Sequence, residues 1–118
     1  MRVYISGPMT TIGPPTYNYP AFNAAAAKWR AEGHYVHNPA ESFGGDTTRA
    51  IPVYMRADLH MLLDVDAIAL LPNWTQSTGA TKELLIAQML GLDVYDAILL
   101  TKIEPPEVLC YPVWVKSV

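Results

Sequence analysis

The chain has 118 residues, of which 51% are hydrophobic and 16% charged, and its net charge is −3. That length makes room for one domain and one core, and that composition excludes a disordered chain. The acidic balance argues against a nucleic-acid polymer as partner, because such binders carry a basic stripe; one phosphorylated small molecule needs only a few local donors.

Cys110 is the single cysteine, so no internal disulfide is available, and no Cys/His set has zinc-ligand spacing. The opening residues are interrupted too soon for a signal peptide, and no apolar run approaches the roughly 20 residues of a membrane span. The expectation is a soluble, cytoplasmic protein.

In chain order, Arg2 to Ser6 is a β-branched and aromatic run that stops at Gly7-Pro8, and reads as a buried strand. Pro8 to Tyr17 is a loop, and Asn18 is placed to cap a helix whose first turn tolerates Pro20. The alanine-rich segment from Ala21 to Glu32 is helical, with Phe22, Ala25, Ala26 and Trp29 on its apolar face and Gly33 ending it. His34 to Asn38 reads as a second strand, closed by Pro39. Glu41 to Thr48 is a polar loop of a kind that carries function or simply connects elements. From Arg49 to Leu63, the residues Val53, Leu59, Leu62 and Leu63 recur with a helical period. Ala67 to Leu71 is a continuous apolar run, read as a buried parallel strand. A loop over Pro72 to Thr78 leads to a helix from Gly79 to Leu90, and Asp93 to Leu100 contains a fourth strand. From about residue 101 the chain reads as an irregular tail of a single domain. Strands alternating with helices predict a parallel sheet covered on both faces, with a ligand beyond the carboxyl ends of the strands.

Three strand ends carry candidate chemistry. After the first strand, Ser6-Gly7-Pro8-Met9 is either an ordinary turn or a place where the backbone approaches a ligand. Before the last helix, Ser77-Thr78-Gly79 exposes free N–H groups that suit an anion, or Ser77 or Thr78 is a plain N-cap with Glu83 on the surface. Asp58 is either solvated or turned toward the strand ends, where it would join Glu83; two carboxylates brought together divide work between nucleophile and proton donor. His34 and His37 are read as boundary residues, His60 as a partly exposed helix residue and Trp74 as packing.

These segments together resemble the nucleoside 2-deoxyribosyltransferase-like family. The resemblance lies in Val3-Tyr4-Ile5-Ser6-Gly7-Pro8-Met9, Asn38-Pro39-Ala40-Glu41, Tyr54-Met55-Arg56-Ala57-Asp58-Leu59, Asp66-Ala67-Ile68-Ala69-Leu70-Leu71-Pro72 and Ser77-Thr78-Gly79-Ala80-Thr81-Lys82-Glu83, in register from residue 1 to about 96. It is most similar to a branch of small bacterial and phage proteins. The resemblance implies an α/β flavodoxin-like or Rossmann-like three-layer sandwich with four or five mainly parallel strands. It implies Glu83 as nucleophile at the anomeric carbon, Asp58 as the group serving the leaving base, and Tyr4 as the residue orienting Glu83. Ser77, six residues before Glu83, matches the nucleoside 5′-monophosphate N-glycosidases, where base-exchanging transferases carry aspartate. The first loop departs from that branch in lacking its arginines.

The expectation is hydrolysis of the N-glycosidic bond of a (deoxy)nucleoside 5′-monophosphate, with no metal or organic cofactor. Ser6, Gly7, Pro8, Met9, Ser77, Thr78 and Gly79 would bind the substrate. The alternatives are base exchange between deoxynucleosides and a nucleotide-binding module without turnover. The apolar tail, with Val108, Leu109, Tyr111, Val113, Trp114 and Val115, either packs on its own domain or forms the interface of a homodimer or higher homo-oligomer.

Overall fold

The computed structural model describes residues 1–104, so the tail residues expected at an interface, and Cys110, lie outside the described residues. Seven elements follow in order: β1 (Arg2–Ser6), α1 (Tyr19–Ala31), β2 (Tyr35–His37), α2 (Ile51–Leu63), β3 (Ala67–Leu70), α3 (Thr78–Met89) and β4 (Asp93–Asp96). The four strands form one parallel sheet in the order β2-β1-β3-β4. The chain is thus an α/β three-layer sandwich of the flavodoxin-like kind. No helix among the described residues is long and apolar enough to cross a membrane.

The two-residue period of β1 divides the core. Val3 and Ile5 point to one face, where they join Phe22, Ala25, Ala26 and Trp29 of α1. Those four α1 residues are the apolar face expected from their spacing. The Trp29 indole N–H donates to the Ala97 carbonyl at 3.0 Å, and the ring meets Tyr95 edge-on. Tyr4 points to the opposite face, among Leu62 of α2 and Leu84 and Ala87 of α3.

Two sequence-based expectations change, for Asn18 and for α2, and two are made more specific, for β4 and for the loops. Asn18 stands at the N-cap of α1 with left-handed backbone, but its side chain caps nothing there; its amide donates to the Pro8 carbonyl at 3.0 Å instead. The α2 stripe is rotated. Val53 and Leu63 are exposed, Leu59 is half-buried and only Leu62 is fully buried. The inward face instead carries Tyr54, Met55 and Asp58 ahead of Leu62, a partly polar set that a count of apolar side chains passes over. The last strand stops at Asp96, whose Oδ1 accepts from Ile98 N–H and Leu99 N–H at 2.8 and 2.9 Å. This turn sends the chain back along β4, where Lys102 makes an antiparallel bridge to Tyr95. Finally, residues 39–45 and 74–76 are 3-10 turns within the expected loops.

The β1 and β3 exits lie so close that a Cβ on Gly7 would stand 2.7 Å from the Leu71 Cβ. Gly7 therefore answers a packing demand, whatever else it faces. Gly7→Ala should destabilise the fold by about 1–3 kcal/mol, the usual cost of overpacking, read as a lowered denaturant midpoint. An unchanged midpoint would contradict this close approach.

Candidate active site

In a parallel sheet of this order the chain departs in opposite directions from β1 and β3, and a crevice opens at their carboxyl ends. A cavity of about 290 Å³ occupies that crevice. Its walls come from the end of β1, the loop before α1, the approach to α2, α2 itself and the start of α3.

Glu83 is its centre. Along α3 the inward stripe is Ala80, Glu83, Leu84 and Ala87, a helical spacing in which one position is a carboxylate. Glu83 is only 6% exposed, so the reading of it as a surface residue is overturned. An unpartnered buried carboxylate would cost several kcal/mol. Here both oxygens are served: the Tyr4 hydroxyl donates to Oε2 at 2.6 Å and the Ser6 hydroxyl to Oε1 at 2.7 Å. Tyr4 and Ser6 share a face because they are two residues apart on a strand. Each carboxylate oxygen has two lone pairs, so one on each remains after these bonds.

Asp58 joins Glu83 in lining the cavity, from the inward face of α2. Its carboxyl is pushed up to about 7, first by burial and then by the Glu83 charge. Burial also raises Glu83, but the Tyr4 and Ser6 hydroxyls act against it by favouring the ionised form. The two environments differ: the hydroxyl donors favour charge on Glu83, while burial and that charge favour the proton on Asp58. The Tyr4 phenol, buried and facing both carboxyls, is raised well above its ordinary value and stays a donor.

The remaining expected binding residues divide. Gly7, Met9, Ser77 and Gly79 line the cavity. Ser77 is also the N-cap of α3, its Oγ accepting from the Ala80 N–H at 3.1 Å, so the capping and lining readings both hold. Ser6 acts through Glu83. Thr78 is exposed, and Pro8 is buried with its carbonyl on Asn18; neither lines the cavity. Trp74 packs against the Tyr4 side of the core, and none of the three histidines reaches the site.

Sequence reasoning missed part of the wall. Tyr17, Tyr19, Tyr54, Thr47 and Arg49 all line the cavity. The available signal was the concentration of polar and aromatic residues in loops flanking a helix that carries Asp58.

A carboxyl raised on folding binds its proton more tightly in the folded state. It therefore costs stability as pH rises from the unfolded value near 4 through the folded value near 7. For Asp58, raised from 3.8 to about 7, this amounts to at most roughly 4 kcal/mol. Asp58→Asn should flatten thermal stability between pH 5 and 8 and raise the melting temperature at pH 8. Parallel pH profiles for variant and wild type would contradict the assignment.

Comparison with curated proteins and with solved structures returns no match. One family model matches residues 1–96, a span that runs from before β1 to the end of β4 and takes in every residue of the site described above. On that match, the chain belongs to the DUF4406 family, described as a domain of unknown function.

Proposed function

We propose that this protein hydrolyses the N-glycosidic bond of a (deoxy)nucleoside 5′-monophosphate and releases the free base. The observation that carries the reading is one buried carboxylate, Glu83, held by two hydroxyls in a cavity shared with Asp58, whose carboxyl is pushed up to about 7. The resemblance to nucleoside 2-deoxyribosyltransferase-like proteins supports the same roles for Glu83, Asp58 and Tyr4.

The chemistry runs in two steps. A free Glu83 carboxylate lone pair attacks the anomeric carbon as the bond to the base breaks. The bonding pair leaves on the base nitrogen, which takes the Asp58 proton, and a glycosyl ester on Glu83 results. Tyr4 and Ser6 fix the carboxylate in place, so little reorganisation is needed at the moment of attack. Asp58, now ionised, takes a proton from water; the hydroxide adds to the anomeric carbon and the ester bond breaks, returning Glu83 to its carboxylate. Both steps need a sugar carbon beside Glu83 and a proton carrier that titrates near neutrality, which is where Asp58 stands. The aromatic residues Tyr17, Tyr19 and Phe22 on the cavity wall offer apolar surface to the base.

The test is chromatography of the purified protein with each common nucleoside and deoxynucleoside 5′-monophosphate, beside Glu83→Ala. Wild type should release a free base, and Glu83→Ala should lose at least about 10³-fold in kcat while still folding, as read by circular dichroism. The rate should fall as pH rises through about 7, where Asp58 gives up its proton, and Asp58→Asn should lack that limb. Full activity in Glu83→Ala would refute the assignment. Turnover that requires an added acceptor base would mean base exchange, and binding without turnover would leave a nucleotide-binding module.

A further inference from the structure

Among the described residues that line the cavity Arg49 is the one cation, and none of the roles assigned above uses it. It is held with care. Its backbone N–H donates to the Tyr54 hydroxyl at 3.1 Å, and that hydroxyl in turn donates to the Asp46 carbonyl. The guanidinium lies over the Phe43 ring, 4.2 Å from its centroid, and Phe43 is braced edge-on by Tyr54. To supply that platform the chain takes left-handed backbone at Phe43, Gly44 and Gly45 in succession, which is uncommon for a phenylalanine. Nε donates to Asp46 Oδ2 at 3.3 Å. Among the described residues, Nη1 and Nη2 have no hydrogen-bond partner.

The charge is not spent on the two carboxyls. A guanidinium beside Glu83 or Asp58 would draw its carboxyl down, yet both are raised. The helix geometry agrees: Arg49 precedes α2, and the axial rise from Ile51 to Asp58 is about 10 Å. The start of α2 has neither a side-chain cap nor an acidic residue in its first turn, and the one carboxylate on Arg49 is that of Asp46, which engages Nε alone. Thr10 and Thr47 line the same cavity. One end thus gathers carboxyls for the sugar carbon, while the other presents a braced guanidinium fork with two free donor groups.

We infer that Arg49 is the specificity-determining residue for a phosphorylated ligand, its Nη groups gripping a terminal phosphate while the sugar lies toward Glu83. The identity of that anion as a nucleotide 5′-phosphate rests on the hydrolase reading; the anion grip rests on Arg49 and its surroundings. The role adds to the cradle expected at the start of α3, where Ser77 and Gly79 line the cavity and Thr78 is exposed. A planar fork matches phosphate geometry in a way that a point charge does not.

The experiment is calorimetric titration of the full-length Glu83→Ala protein, which keeps ligand intact, with nucleoside 5′-monophosphates and the matching nucleosides. The same titrations are repeated with Arg49→Ala and Asp46→Asn added singly. The monophosphate should bind more tightly than its nucleoside, and Arg49→Ala should cut that preference by about 10–100-fold, the worth of one charge-assisted phosphate contact. Asp46→Asn keeps an Oδ1 acceptor for Thr48 while removing the competing charge, and should tighten monophosphate binding several-fold. An unchanged preference in Arg49→Ala, an equal loss for nucleoside and monophosphate, or no monophosphate binding at all would each overturn the inference. Base release by wild type with an unchanged preference would remove Arg49 and leave the hydrolase. A collapsed preference without any base release would do the reverse.

Discussion

Two hydroxyls on β1 grip one carboxylate on α3, and most of the structure can be traced to what that contact requires. Glu83 occupies a position in the stripe Ala80, Leu84, Ala87 where an apolar side chain would pack at no electrostatic cost. Holding a charge there demands donors delivered to both oxygens, and the strand period delivers them from Tyr4 and Ser6. That works only if β1 is an inner strand with α3 laid across its Tyr4 face. The order β2-β1-β3-β4 makes β1 an inner strand, and the parallel pairing of Ser6 with Leu70 aligns the ends of β1 and β3 beneath the start of α3. Gly7 then allows the two exits to touch.

The second consequence is asymmetry between like groups. Desolvation raises both carboxyls, but only Glu83 has hydroxyl donors that favour its charge. Asp58, facing burial and the Glu83 charge, keeps its proton to about pH 7. The arrangement stores instability at neutral pH in the place where chemistry is proposed, a common cost of a working site.

How much of this was legible beforehand varies with the range of the forces involved. β1, β3 and the face of α1 were readable because local period and burial agree there. Ser77 was readable as a cap because capping is local. The burial of Glu83 was not, since a glutamate in the N-terminal half of a helix fits equally well on a surface; only its resemblance to a catalytic motif singled it out. The rotation of α2 escaped because its inward face is partly polar, serving a cavity and not the core. The fourth strand was readable but its end was not, because Asp96 caps the turn that follows, a side-chain effect invisible to apolar counting. Arg49 escaped entirely: its placement depends on left-handed backbone at Phe43 and on stacking between residues of one loop and one helix.

The claim on which the rest turns is that Glu83 becomes covalently bonded to the sugar. The most direct measurement is intact-protein and peptide mass spectrometry of enzyme quenched in acid during turnover of its best nucleotide. The account expects a mass gain equal to the sugar phosphate, mapped to the peptide containing Glu83 and missing in Glu83→Gln. Base release with the adduct on another residue, or undiminished release by Glu83→Gln, would contradict it.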